Sequence, residues 1–140
     1  MISKTLLTPV IALAAWTMVM WLWMYLTRIP AILKMKMKLD AYAPRGEQMS
    51  LLPAKVRWKA DNYNHLMEQP TVFYAVVISL TLLSADSSIN TTLAWSYVVL
   101  RVLHSISQAT IANVNLRFVL FLISSLVLSA LVINALMMLL

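Results

Sequence analysis

The sequence predicts an all-α integral membrane protein built as a single domain, residues 1–140, of four membrane-spanning helices. Of the 140 residues, 61% are apolar and only 11% are charged, and the mean hydropathy is +0.80. Soluble domains are about 45–50% apolar and about 25% charged, so this composition excludes an ordinary soluble fold. A helix crosses a bilayer with ~20 mostly apolar residues, and the stretches that qualify are 6–33, 66–85, 93–112 and 118–140.

The first helix is predicted over residues 6–33. Its apolar run is too long for a signal-peptide core and no small-residue cleavage site follows it, so we expect the helix to be retained. Proline removes a helical hydrogen bond, which predicts a break or bend near Pro30. The helix is also rich in aromatic side chains that suit a membrane interface or a subunit contact: Trp16, Trp21, Trp23 and Tyr25.

The other three helices are predicted over residues 54–85, 91–112 and 116–140. Pro53 suits the start of the second helix, whose membrane-crossing part runs from Leu66 to Ala85. The long connection after the first helix contains Pro44 and Gly46, so we do not expect one continuous helix there. The two later connections are short, which favours antiparallel neighbours in a bundle.

The positive charge predicts the topology. Most of the basic residues lie between the first two apolar stretches: Lys34, Lys36, Lys38, Arg45, Lys55, Arg57 and Lys59. In a soluble protein such a run would suggest nucleic-acid binding, but beside membrane helices the positive-inside rule and contact with anionic lipids explain it, and no nucleic-acid partner is expected. Loop 34–59 and Arg117 are therefore expected on the cytoplasmic side, with both termini on the opposite side.

Composition also excludes several kinds of chemistry. The chain has no cysteine, so disulfides and thiolate metal sites are absent. Its single glycine rules out a glycine-rich phosphate loop. With two histidines in all, a metal site is not expected, and no Ser–His–Asp arrangement is visible.

The second predicted helix carries a polar face that ends in a carboxylate. Asp61, Asn64, His65 and Glu68 are spaced i, i+3, i+4 and i+7 and so share one side of a helix. An unpaired carboxylate near the centre of a membrane costs ~2.5–3.5 kcal/mol, so we expect Glu68 to have a charged partner or a functional role. Pro70 leaves the carbonyl of Leu66 without its helical donor, which predicts a bend beside Glu68.

The third predicted helix offers the complementary face. Arg101, His104, Ser105 and Gln108 again fall at i, i+3, i+4 and i+7, and they should point into the bundle because lipid contact would be costly. Arg101 is expected to form an ion pair with Glu68. His104 could donate a proton, contact a ligand or form an ordinary hydrogen bond between helices.

Two further arginines lie near the cytoplasmic ends of the first and fourth helices. Snorkelling to headgroups is the usual fate of residues such as Arg28 and Arg117. An anionic substrate entering from that side would nevertheless meet both of them together with Arg101, and guanidinium groups bind carboxylates through paired hydrogen bonds. Ser125 and Ser129, on the fourth helix, are interpreted as a small-residue packing contact.

These motifs together resemble the MAPEG family, the membrane-associated proteins in eicosanoid and glutathione metabolism. The resemblance rests on residues 61–70 (DNYNHLMEQP) opening the second helix and 101–105 (RVLHS) in the third. The four helices, the long loop after the first and an arginine opening the fourth agree with it. The chain is thus identified as a short member of bacterial type, which places it in a bacterial inner membrane.

The resemblance implies a homotrimer with an active site between neighbouring subunits, where glutathione binds as co-substrate near the cytoplasmic face. Members conjugate its thiol to lipophilic electrophiles, reduce lipid hydroperoxides or isomerise lipid endoperoxides. Glu68 matches the glutamate that holds the glutathione amine, and Arg117 matches the arginine that stabilises the thiolate. The remaining binding positions carried over are Arg28, Asn64, His65, Arg101, His104 and Gln108.

Two other interpretations remain open. The chain could be a non-catalytic family member that binds lipid or a partner, with Glu68–Arg101 as a structural ion pair only. A small transporter with Glu68 as proton carrier is disfavoured because a permanently paired glutamate titrates poorly and no internal repeat is visible.

Overall fold

Every described element of the chain is a helix. The computed structural model describes residues 4–140, and no strand occurs among them. The helices are α1 (Lys4–Lys34), α2 (Glu47–Ser50), α3 (Ala54–Leu66), α4 (Pro70–Leu82), α5 (Ser88–Thr110) and α6 (Val114–Met137). The prediction of an all-α chain is confirmed.

Helix α1 is longer than predicted and does not break at its second proline. Pro9 and Pro30 both lie inside the helix, which continues to Lys34. Its end is formed by the backbone: Lys36 adopts a left-handed conformation with φ 50°, and the Met37 amide donates to the Ile32 carbonyl at 3.2 Å. This hydrogen bond satisfies a terminal carbonyl of α1. Because Lys36 lies six residues after Pro30, the proline does not determine where α1 ends.

The second predicted helix is divided in two. Helices α3 and α4 have 13 residues each and are separated by Met67, Glu68 and Gln69. Pro70 occupies the first turn of α4, where its missing N–H costs nothing. Shorter i→i+3 bonds bridge the gap, for example from the Val72 amide to the Gln69 carbonyl at 3.0 Å. The bend predicted at Pro70 is therefore a full interruption.

Side-chain caps begin α5 and α6 earlier than the predicted 91 and 116. The Ser87 hydroxyl accepts from the Asn90 amide at 3.2 Å, and the Asn113 side chain accepts from the Leu116 amide at 3.0 Å. Serine and asparagine are favoured at this position because they satisfy an amide that the helix leaves free. The connection between α5 and α6 is thus only three residues long.

The helices pack around a shared apolar core. Helix α1 lies against α3, α4 and α5, while α6 lies against α5 and α4. The core includes Leu6, Leu13, Met20, Phe73, Val77, Leu80, Ala94, Tyr97, Leu128 and Leu131. Helices α1 and α6 are each long and apolar enough to cross a membrane. The other two predicted crossings fall on α5, which carries the polar Arg101–Gln108 face, and on the shorter helices α3 and α4.

The connections lie at two ends of the molecule. At one end, Lys59 of α3 donates to the Ala109 carbonyl, near the end of α5, at 3.4 Å. At the other end, Asn90 of α5 donates to the Ala85 carbonyl at 2.9 Å and accepts from Asn134 of α6 at 2.8 Å. The first of these ends carries the site described next.

Candidate functional site

A cavity of about 520 Å³ opens where α3, α5 and α6 meet. Its wall combines two carboxylates, two amides and two imidazoles with one arginine and two phenyl rings. The lining residues are Asp61, Asn64, His65, Glu68, His104, Gln108, Val114, Arg117, Phe118 and Phe121. Six of the eight residues predicted for the site lie on this wall, and Arg28 and Arg101 do not.

The polar face of α3 forms one side of the cavity, as its helical spacing predicts. Glu68 lies two residues after the end of α3 and keeps 68% of its side chain exposed. Its Oε2 lies 2.9 Å from Nδ1 of His65, whose side chain is 23% exposed. A carboxylate at the open side of a cavity remains available to a ligand through its second oxygen.

The predicted ion pair between Glu68 and Arg101 is wrong for this chain. Within residues 4–140 the side-chain partner of the Glu68 carboxylate is the His65 ring, and no nitrogen of Arg101 comes within 4.0 Å of a carboxylate. The physical reason is the interruption after Leu66: the chain leaves the α3 helix before Glu68, and the carboxylate turns outward while Arg101 stays inside.

Arg101 lies behind the cavity wall and is fully buried. One nitrogen, Nη2, donates to the His65 carbonyl at 3.1 Å, whereas Nε and Nη1 have no hydrogen-bond partner among the described residues. The guanidinium group also stands 5.8 Å from the centre of the Phe121 ring. Its positive charge is therefore held directly behind His65 and Phe121, two residues that line the cavity.

Three rings form the inner part of the cavity. The His65 ring centre lies 5.0 Å from that of His104 and 5.3 Å from that of Phe121. His104 is buried, which confirms that its helix face points inward. Sequence reasoning missed Phe121 and Phe118 because phenylalanines carry no distinguishing signal in an apolar helix. Phe121 could have been found, since it stands one helical turn after Arg117.

Arg117 and Gln108 line the cavity with unused hydrogen-bonding atoms. The Nε of Arg117 and the Oε1 of Gln108 are enclosed by protein and have no partner among residues 4–140. Buried polar atoms are normally hydrogen-bonded, so such atoms on a cavity wall are suited to a ligand. Asn113 caps α6 at the residue before its start and so places Arg117 in the first full turn, facing α3 and α5.

Arg28 lines a second, adjoining cavity of about 380 Å³. The two cavities share Asp61 and Asn64. The second is enclosed by the end of α1, the short helix α2 and the start of α3, and its other lining residues are Arg45, Gly46, Met49, Ser50, Arg57 and Ala60. Sequence reasoning attributed Arg45 and Arg57 to the general charge of the loop and did not assign them to a site.

Gln69, which sequence reasoning also missed, fixes the interruption beside the site. Its Nε2 donates to the Ser125 hydroxyl of α6 at 2.8 Å, and its Oε1 accepts from the Tyr97 hydroxyl of α5 at 3.3 Å. Ser125 therefore serves as a hydrogen-bond partner as well as a packing residue. A polar residue between the motif residues Glu68 and Pro70 was the available signal.

A model of the MAPEG family matches residues 6–137, which is nearly the whole chain. Neither the comparison with curated proteins nor the comparison with solved structures finds a match.

Proposed function

The chain belongs to the MAPEG family, and from that premise we propose that it is a membrane-embedded enzyme that activates the thiol of glutathione. The activated thiol attacks a lipophilic electrophile or a hydroperoxide. The observation that carries this proposal is the cavity that brings together Glu68 from the gap after α3, His104 and Gln108 from α5, and Arg117 from α6.

The charges around this cavity suit the two ends of glutathione. The exposed Glu68 carboxylate can bind an ammonium group, and Asp61 lies on the same wall. Arg117, together with the buried charge of Arg101, provides positive potential for an anion deeper in the cavity. Asn64, His65, His104 and Gln108 offer further hydrogen bonds, and Arg28 in the adjoining cavity is proposed to reach a glutathione carboxylate.

The proposed mechanism is thiolate stabilisation. A free thiol has a pKa of about 8.5 and is mostly protonated at neutral pH, but a neighbouring guanidinium group lowers that pKa. In this arrangement Arg117 is the catalytic residue. The thiolate then forms a bond to the electrophile and displaces its leaving group. With a hydroperoxide it attacks the terminal oxygen, the O–O bond breaks, the sulfur is oxidised to a sulfenic acid, and the departing alkoxide takes a proton from water to become the alcohol. Substrates dissolved in the bilayer reach the cavity beside the phenyl rings of α6.

The membrane arrangement belongs to the same proposal. Helices α1, α5 and α6 would each cross once, and α3 with α4 would form the remaining crossing of a four-helix bundle. Residues 54–82 extend over ~43 Å at 1.5 Å per helical residue, which exceeds the ~30 Å hydrocarbon core of a bilayer. We propose a homotrimer in a bacterial inner membrane, with loop 34–59 cytoplasmic and both termini on the opposite side, in accord with the positive-inside rule.

The decisive experiment is thermal unfolding of the detergent-purified protein with and without millimolar reduced glutathione. A ligand that binds only the folded protein raises its stability, by about 1.4 kcal/mol at ten times Kd. We expect this increase in the wild type and in Asp86→Asn, which makes the same carboxylate-to-amide change at the far end of the molecule. Glu68→Gln and Arg117→Ala should lose it while remaining folded.

The alternative is a non-catalytic family member that binds lipid or a partner. Its proposed structural ion pair, Glu68–Arg101, does not form in the chain, which leaves Glu68 without a stabilising role between helices. Typical KM values are about 1 μM to 1 mM. If glutathione at about 10 mM leaves the wild-type melting temperature unchanged, the non-catalytic interpretation replaces the proposal of an enzyme.

A further inference from the structure

The second cavity carries more positive charge than the proposed glutathione contact of Arg28 accounts for. Three arginines from separate parts of the chain line it: Arg28 near the end of α1, Arg45 in the loop and Arg57 in α3. Asp61 is the one carboxylate on its wall. The wall therefore has three basic side chains and one acidic side chain.

None of the three guanidinium groups has an acidic partner in the described part of the chain. No carboxylate oxygen of residues 4–140 comes within 4.0 Å of any of them. The Nε of Arg28 is enclosed by protein and has no hydrogen-bond partner in the described part of the chain. Converging guanidinium groups without partners are the arrangement that binds phosphate or carboxylate groups, through paired charge-assisted hydrogen bonds.

The same face of α1 continues from the cavity into an exposed aromatic surface. Trp21, Tyr25 and Arg28 are spaced so that they follow one side of the helix. Trp21 and Tyr25 are 38% and 40% exposed and pack edge to face, with ring centres 5.1 Å apart. Tryptophan and tyrosine in such a position are typical of the depth where lipid headgroups meet acyl chains.

We propose that this cavity is a binding site for the phosphate group of an acidic glycerophospholipid. The phosphate lies among Arg28, Arg45 and Arg57, and the acyl chains follow α1 past Tyr25 and Trp21. A soluble phosphate would use the guanidinium groups equally well, but it would leave the exposed aromatic surface without a role. The inference is independent of thiol chemistry, since Arg45 and Arg57 do not line the first cavity.

The test compares lipid binding in two matched double variants. Native mass spectrometry of detergent-purified protein titrated with dioleoyl phosphatidylglycerol gives the affinity, and dioleoyl phosphatidylcholine serves as the net-neutral lipid. Arg45→Gln/Arg57→Gln should weaken phosphatidylglycerol binding by about tenfold or more, since each lost charge-assisted bond is worth more than a neutral one. Lys36→Gln/Lys55→Gln removes the same charge nearby, outside the cavity, and should change the affinity less than about twofold.

A third variant provides a change in the opposite direction. Asp61→Asn removes the single carboxylate from the wall and should tighten phosphatidylglycerol binding, because that carboxylate repels the phosphate. Arg28 is left unchanged throughout, because it is also proposed to contact glutathione. Circular dichroism and thermal unfolding confirm that each variant is folded before its affinity is compared.

Several results would overturn the proposal. Equal weakening in both double variants would show a diffuse attraction to the basic loop. Inorganic phosphate that binds wild type as tightly as phosphatidylglycerol, and competes with it, would assign the cavity to a soluble anion. Loss of the glutathione-induced melting shift in Arg45→Gln/Arg57→Gln, with lipid binding intact, would assign both arginines to the thiol site. An absent glutathione effect in wild type would contradict only the enzyme proposal.

Discussion

Arg101 is a buried charge with little compensation. It is fully buried, and a single hydrogen bond to the His65 carbonyl occupies one of its three guanidinium nitrogens. Removing a charge from water is costly unless pairing and hydrogen bonds offset it. Arg101 has no carboxylate partner and only one hydrogen bond, so its contribution to stability does not account for its burial. Its effect on the neighbouring cavity does, because the guanidinium group adds positive potential behind the cavity wall.

We therefore expect Arg101→Met to separate stability from binding. Replacing a poorly compensated buried charge by a residue of similar volume should leave the free energy of unfolding within about 1 kcal/mol of wild type, or increase it. The glutathione-induced rise in melting temperature should be lost, whereas Arg101→Lys should retain part of it. A loss of several kcal/mol in Arg101→Met would instead show that the bond to the His65 carbonyl holds the fold together.

Ser105 connects three elements through one hydroxyl group. Its Oγ accepts from Trp16 Nε1 of α1 at 2.9 Å and from Asn62 Nδ2 of α3 at 2.8 Å. Both Ser105 and Asn62 are fully buried. Ser107, two residues further on the same helix, is also buried, but its hydroxyl has no partner among the described residues.

These two serines give a matched pair of stability predictions. Ser105→Ala leaves two donors unsatisfied, and each such donor costs about 1–3 kcal/mol, so the free energy of unfolding should fall by about 2–6 kcal/mol. Ser107→Ala removes a hydroxyl that already lacks a partner and should be neutral or stabilising. Chemical denaturation in detergent would measure both, and equal effects of the two substitutions would contradict the assigned hydrogen bonds.

At the scale of elements, the interruption between α3 and α4 determines where the site faces. Pro70 cannot donate to the Leu66 carbonyl, so the helix ends, and Gln69 then ties the gap to α5 and α6. Tyr97 is further held by stacking on Phe73, with ring centres 4.6 Å apart. The position of Glu68 thus depends on one residue that lies outside both helices.

We expect Gln69→Met to destabilise the chain and to weaken ligand binding together. The substitution keeps the side-chain volume but deprives the Tyr97 hydroxyl and Ser125 of a partner, which should cost about 1–3 kcal/mol. Tyr97→Phe removes only the longer of the two bonds and keeps the ring stack, so its cost should be smaller. Thermal unfolding with and without glutathione measures both effects, and a stable Gln69→Met that binds normally would show that the gap is positioned by packing alone.

At the scale of the whole molecule, the chain leaves much apolar surface uncovered. Large hydrophobic side chains are exposed along α1, α5 and α6, for example Leu26 at 65%, Val99 at 53% and Leu126 at 63%. Soluble monomers rarely expose contiguous surfaces of this kind. Lipid or neighbouring subunits must cover this surface. The cavity beside Glu68 opens toward the same lipid or subunits.

The trimer proposal predicts a measurable mass and a shared site. Light scattering of the protein in mild detergent, corrected for bound detergent, should give three copies of the chain. Mixing Glu68→Gln subunits with Arg117→Ala subunits should restore part of the glutathione effect if the binding residues come from neighbouring copies. A chain that is monomeric and still binds glutathione would place the complete site within one subunit.

Composition, the length of the apolar runs and residue spacing were enough to predict an all-helical membrane protein, its family and the residues that share each helix face. Composition and apolar length predict membrane helices because these properties are additive along the chain. The spacing of Asp61–Glu68 and of Arg101–Gln108 predicts their faces because helical periodicity is local. Both faces do meet at one cavity, together with Arg117.

Which of these residues contact one another could not be predicted in this way, because the contacts depend on how the helices pack. Glu68 pairs with His65 rather than Arg101, Gln69 anchors the interruption, and Arg28 joins Arg45 and Arg57 in a separate cavity. Such contacts depend on where a helix ends and how its neighbours approach. Here the three-residue gap between α3 and α4 contains Glu68 and turns its side chain outward. Periodicity shows the direction of a side chain within a helix, whereas its partner is set by the packing of the whole chain.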